Sequence, residues 1–114
     1  MAVDEALLAE ARERLAGLGE VTSRKMFGGV GFWESGDMFA LMDSESRVYF
    51  KTDDATRPRY EAAGSEAFAP QMKGRAPMTM PYHEVPAAVW PDDAQLQAWG
   101  ADAVAVAHAT AKRK

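Results

Sequence analysis

The sequence predicts an α+β domain: a two-layer arrangement of antiparallel sheet and helices, in the order helix, three or four strands, helix, two strands, helix. Three observations lead there. The stretch from Arg24 to Met42 holds two apolar runs joined by a short polar loop, and Phe32, Trp33, Phe39 and Leu41 suit a pleated, half-buried surface. Leu7, Leu8, Ala11, Leu15 and Leu18 recur at helical spacing near the start, and Leu96, Trp99, Ala103, Val106 and Ala107 do so near the end. At 114 residues, 47% of them apolar and 10% aromatic, the chain suffices for one core and is too short for two. No repeat, low-complexity run or linker divides it, so residues 1–114 read as a single domain.

The first helix is expected from about Asp4 to Ala16, with Asp4 and Glu5 at the positive end of its dipole and Gly17 and Gly19 as a stop. Val21 to Phe27 reads as a strand. The glycine-interrupted run Gly28-Gly29-Val30-Gly31 leads into a second strand ending near Trp33, and Ser35-Gly36 supplies the turn into Met38–Met42. In that third strand Phe39 and Leu41 are expected on one face, with Met38, Ala40 and Met42 on the other. Arg47 to Lys51 follows as a strand across the Asp43–Ser46 loop.

A second helix is expected over Asp53 to Gly64, capped by Thr56, with Pro58 tolerated in a first turn whose N–H groups lack intrahelical partners. Phe68–Met72 and Pro77–Tyr82 read as a second hairpin around the basic loop Lys73-Gly74-Arg75. Pro81 confines its second strand to an edge or a bulge. The third helix begins after Pro91, with Asp92 as cap and Gln95 three residues on, a capping-box pattern.

Charge and composition narrow the function. The net charge is −4 and the isoelectric point about 5.1, which opposes binding to nucleic acid through the overall field. Residues 24–75 carry eight acids and eight bases and are the richest stretch in cations; the first 23 residues hold five acids against two bases. Cysteine is absent, so disulfides and thiolate metal sites are excluded, in keeping with a reducing compartment. Asp4 and Glu5 stand where a signal peptide would carry positive charge, and no apolar stretch approaches a membrane span. A cytoplasmic protein without membrane contact is expected.

The residues offer no reaction. Gly28-Gly29-Val30-Gly31 could suggest a phosphate cradle, yet no Lys-Ser/Thr pair and no helix follow, so a bend or close backbone approach explains the glycines better. His83 and His108 lie far apart and read as surface histidines rather than zinc ligands. Met72, Met78 and Met80 suit core filling better than a soft metal, and Asp53-Asp54 and Asp92-Asp93 stand at helix starts, where capping accounts for them. No catalytic residue, metal or cofactor is assigned. The basic set Arg24, Lys25, Lys51, Arg57, Arg59, Lys73 and Arg75 lies partly in loops beside aromatic or glycine residues, so it could meet phosphates or an acidic partner. The opposing account is an ordinary solvated surface balanced by its local acids. The candidate interaction surface is Arg24, Lys25, Phe27, Gly28, Gly29, Lys51, Lys73 and Arg75.

Several separate stretches carry a resemblance in the same order: RKMFGGVGFW, DMFALM, VYFKTDD, AAGSEAF, and YHEVP followed by an acid-capped helix bearing a tryptophan. Together they resemble the N-terminal domain of the TfoX/Sxy family over nearly the whole chain. The resemblance implies a two-layer antiparallel fold similar to secretion chaperones, and a stand-alone domain without the family's helical C-terminal domain. Full-length members are associated with regulating natural competence as partners of a transcription regulator. Two functions are therefore expected in competition: a regulatory or protein-interaction module, and a nucleic-acid-binding accessory protein using the central cations. A homodimer formed through the sheet is a third expectation, because both alternating sets of Met38–Met42 are apolar.

Overall fold

A computed structural model of the chain describes residues 4–26, 28–69 and 80–112. Helix α1 (Glu5–Leu15) and a short 3-10 turn (Ala16–Leu18) precede strands β1 (Val21–Met26), β2 (Gly29–Glu34), β3 (Asp37–Met42) and β4 (Val48–Lys51). Helix α2 (Arg57–Ala62), strand β5 (Tyr82–Glu84) and helix α3 (Asp93–Lys112) complete the order. The strands form one antiparallel sheet in sequential order β1-β2-β3-β4-β5. The fold is α+β, as expected, with helices on one face of the sheet.

Local chemistry sets the element ends. The Asp4 carboxylate accepts from the Ala6 and Leu7 amides at 3.0 and 3.2 Å, capping α1. Asp92 accepts from the Gln95 amide at 3.0 Å, and the Gln95 side chain donates back to the same carboxylate at 3.2 Å rather than closing the box through the backbone. Ser35 and Gly36 both have positive φ, 50° and 92°, which makes the β2–β3 connection a type I′ turn matched to the twist of the strands.

Helix α2 is shorter than expected. Thr56 does not cap it. The cap lies one turn earlier, where Asp53 accepts from the Ala55 and Thr56 amides and the Thr56 hydroxyl accepts from the Asp53 amide at 3.1 Å. Six residues are too few for a helix to persist by propensity. Packing holds it: Tyr60 is buried edge-on against Trp99 of α3, with centroids 4.7 Å apart, and Arg59 lies over the same Trp99 ring while bonding Asp102 at 2.8 Å.

The described ends of the expected second hairpin do pair, the Phe68 amide donating to the Tyr82 oxygen and the Met80 amide to the Phe68 oxygen, both at 2.8 Å, while the strand itself runs over Tyr82–Glu84 as β5. β5 pairs with β4, and its outer edge is closed by residues 66–68: the Phe68 amide donates to the Tyr82 oxygen at 2.8 Å and the Glu84 amide to the Glu66 oxygen at 3.1 Å. Pro81 sits just before β5, where the Tyr82 amide turns back to the Met80 oxygen and the Pro81 carbonyl accepts from Thr52. Residues 70–79 of the expected hairpin, including Met72 and Met78 of its strands and the loop Lys73-Gly74-Arg75, lie outside the described residues.

The core forms between α1, α3 and the sheet. Phe32, Phe39 and Phe50 are fully buried there beside Leu8, Leu15, Met42 and Leu96; burying one such side chain contributes roughly 1.5–3 kcal/mol. The alternation expected for β3 fails at one residue. Phe32 faces Ala40 and Trp33 faces Met38, which leaves Phe39 without a partner on β2. This β-bulge turns Phe39 to the helix side with Ala40 and Met42, while Met38 and Leu41 face the other way.

His83 differs from the expected surface role, while His108, its side chain 34% exposed, keeps a surface position but is ion-paired there. His83 is 5% exposed on the core side of β5, with Nδ1 3.1 Å from the Thr52 hydroxyl and its ring against Tyr60; burial lowers its pKa, so it stays neutral. His108 near the end of α3 is clamped between two carboxylates, Nδ1 to Asp37 and Nε2 to Glu34, both at 2.6 Å. Only an imidazolium donates from both nitrogens. The Asp37 hydrogen bond first, and the Glu34 bond after it, raise the His108 pKa. The Ser35 hydroxyl and the Glu20 amide, ahead of His108, hold the Glu34 carboxyl below its usual range. The clamp ties α3 to the type I′ turn.

Gly29 packs where no side chain fits, since a Cβ there would overlap the Met42 carbonyl oxygen; its neighbour Gly28 has φ 78°, and a Cβ there would make only an ordinary contact with Ser44 at 3.7 Å. Gly29→Ala is therefore expected to lower stability by about 1–3 kcal/mol through overpacking, and Gly28→Ala by about 1 kcal/mol through its backbone alone. Denaturant unfolding of both variants checks this; a larger loss for Gly28→Ala refutes the packing argument.

A second expectation concerns pH. A folded pKa raised above the unfolded value of 6.5 gives stability that is fully present below pH 6.5 and is lost as pH rises through the folded pKa. His108→Gln should thus melt well below the parent near about pH 6 and approach it near about pH 9. A gap in melting temperature that is constant across this range excludes the ionic clamp.

Candidate functional site

The face of the sheet away from the helices is built by register. Thr22 opposes Trp33, Arg24 opposes Gly31, Gly31 opposes Leu41, Leu41 opposes Tyr49, and Lys51 opposes Tyr82, so these side chains share one surface. Met38 joins them beside the bulge. Over β3 to β5 the chain covers this face itself: Leu41, Tyr49 and Tyr82 are buried under Phe68 and Met80, and the Tyr49 and Phe68 rings lie 5.1 Å apart. Over β1 and β2 the surface layer is formed by exposed Arg24 and half-buried Met26 and Trp33.

That layer depends on Gly31. A Cβ there would come within 2.7 Å of the Trp33 ring and 2.8 Å of the Met26 sulfur, so glycine lets both side chains lie flat across the strand. The Arg24 guanidinium then sits 4.7 Å from the Trp33 ring centroid, stacking cation on ring at the surface. Trp33 remains half-buried, and Arg24 is exposed.

The tyrosines on this face are structural. Burial raises the Tyr82 pKa to about 12, and burial followed by the Asp43 charge raises that of Tyr49 to about 12. Both phenols therefore remain protonated at neutral pH. The Tyr49 hydroxyl lies 3.3 Å from Asp43, and that of Tyr82 lies 3.4 Å from the Met38 oxygen. A group titrating this high is unsuited to general base work near neutrality.

The residues expected to form an interaction surface are only partly brought together. Arg24 lies on the outer face, and Lys25 is exposed next to it on the edge strand β1. Lys51 lies on the same face as Arg24, with its ammonium 5.1 Å from the Tyr82 ring, but β2 and β3 intervene; at about 4.8 Å per strand their two strands run roughly 14 Å apart. Gly28 and Gly29 lie at the β1–β2 hairpin, away from the Arg24–Trp33 pair. Phe27, Lys73 and Arg75 lie outside the described residues. Arg57 and Arg59 belong elsewhere, paired with Asp54 and Asp102.

Sequence reasoning missed Trp33 as a surface ring, because its neighbour Phe32 is equally apolar and only register decides which one is buried. The Arg24–Gly31–Trp33 spacing becomes readable once β1 and β2 are paired as a hairpin. Among the described residues no group of three or more His, Asp or Glu side chains is placed to hold a metal ion, and no helix is long and apolar enough to cross a membrane.

No curated protein matches the chain. A family model does: that of the TfoX N-terminal domain matches residues 13–107, from the last turn of α1 through most of α3, and so takes in the whole sheet and the face that carries Arg24 and Trp33. The chain belongs to the TfoX N-terminal domain family.

Proposed function

We propose that this domain is a non-enzymatic regulatory module of the cytoplasm that docks a protein partner on the β1–β2 part of its outer sheet face. The carrying observation is Trp33, half-buried at the surface, roofed by Arg24 and bordered by Met26 and Met38. Tryptophan and arginine are the residues that most often dominate protein interfaces, since each brings large contact area with directional chemistry. The partner class that the family resemblance suggests is a transcription regulator.

Pairing of cations with rings, Arg24 on Trp33 and Lys51 on Tyr82, also suits a surface on which bases stack, and this supports nucleic acid as a second reading. Two features favour protein. The net charge of −4 opposes approach to a polyanion, and the two cation–ring pairs, one on β1–β2 and the other on β4–β5, are set apart by β3 rather than aligned along a groove.

Site-specific crosslinking separates the readings. A photoreactive residue at Thr22, exposed beside Trp33, is expected to give protein adducts in cells, and one at Ala101, exposed on α3, is expected to give none. Trp33→Ala should weaken docking by about 2–4 kcal/mol and deplete the adducts; Arg24→Glu, at an exposed position, should do the same without disturbing the fold. Nucleic-acid adducts that vanish with added salt would establish the second reading instead. Adducts of twice the chain mass would assign the face to a homodimer.

A further inference from the structure

The edges of the sheet are unequal. β5 is closed by residues 66–68, whereas the outer side of β1 receives no backbone hydrogen bond from any described residue. The Ser35 amide donates to the Glu20 oxygen, which fixes the alternation along β1. Thr22, Arg24 and Met26 turn their backbone groups to β2, and Val21, Ser23 and Lys25 turn their N–H and C=O groups outward.

Cations flank this edge on both faces. Arg24 stands on the outer face. Lys25 stands on the helix side, where Arg12 of α1 also reaches β1 and donates to the Ser23 hydroxyl at 2.9 Å. None of the three forms an ion pair with a described carboxylate, although the whole chain is acidic. Charges on an edge strand keep copies of the same strand apart; antiparallel self-pairing of β1 would set Arg24 and Lys25 of one chain against those of another. The same charges attract a strand of opposite sign.

We infer that the open edge of β1 takes an acidic extended segment of a partner protein as an added antiparallel or parallel strand. This rests on the reading of the domain as a protein-docking module and names the partner's local chemistry. Main-chain bonds to Val21, Ser23 and Lys25 supply affinity, as in other strand-addition interfaces. Specificity comes from consecutive acidic residues: because neighbours on a strand point to opposite faces, one acid meets Arg24 while the next meets Lys25 and Arg12.

The test uses the intact chain and a capped peptide, Thr-Val-Glu-Glu-Val-Thr, with two controls. One control carries Lys-Lys in place of Glu-Glu, and the other is methylated on alternate backbone nitrogens. Hydrogen exchange followed by NMR should show the acidic peptide slowing exchange at the Val21, Ser23 and Lys25 amides, with little protection from either control. The exposed double variant Arg24→Glu/Lys25→Glu should lose about tenfold or more in affinity and prefer the Lys-Lys peptide. Equal binding of the N-methylated peptide, equal binding of the Lys-Lys peptide, or binding that leaves those amides unprotected would overturn the inference. If Thr22 still crosslinks to protein while the β1 amides stay unprotected, the docking face stands and the added strand falls. Protection of those amides without crosslinks at Thr22 upholds the added strand and removes the docking face.

Discussion

One unpartnered residue decides which side of this sheet is core. The bulge at Phe39 sends Phe39, Ala40 and Met42 toward the helices and leaves Met38 and Leu41 behind. Without it, strict alternation would put Phe39 and Leu41 on the same face, and β3 would divide its large side chains differently between the two layers. The helix-side cluster around Phe32, Phe39 and Phe50 rests on that local break. So does the outer surface, since Trp33 faces Met38 only because the register shifts at the same place.

The rest of the architecture distributes small constraints around that centre. Gly29 lets β2 approach the backbone of β3 closely, and Gly31 clears space for Trp33 and Met26 on the opposite side. The imidazolium of His108 holds the end of α3 against the β2–β3 turn, and Arg59 joins α2 to α3 through Trp99 and Asp102. A six-residue helix and a three-residue strand exist because such tertiary contacts hold them in place.

Much of this was legible in the sequence, and the misses share a physical cause. Helical periodicity placed α1 and α3, Asp92 marked the start of α3, and Ser35-Gly36 marked the tight turn. These are local signals, set by residues within one turn of each other. The bulge was not readable, because Met38–Met42 is apolar in both alternating sets and either register buries something. The burial of His83 depends on Thr52 and Tyr60, distant in sequence, and the clamp on His108 depends on carboxylates more than seventy positions away. The candidate surface suffered likewise: Arg24 and Lys25 were found by composition, but Trp33, which gives Arg24 its setting, emerges only from the pairing of β1 with β2.

The inequality of the two sheet edges bears on assembly. Filaments of stacked sheets grow head to tail, each molecule offering one edge and accepting on the other, so both edges must be vacant. Here the β5 edge is already satisfied by the chain's own residues 66–68. A strand that arrives at β1 therefore meets an edge left vacant by the described residues, whereas one that arrives at β5 finds its place taken by residues 66–68. Edge-to-edge joining through β5 itself would first require Glu66–Phe68 to peel away from it.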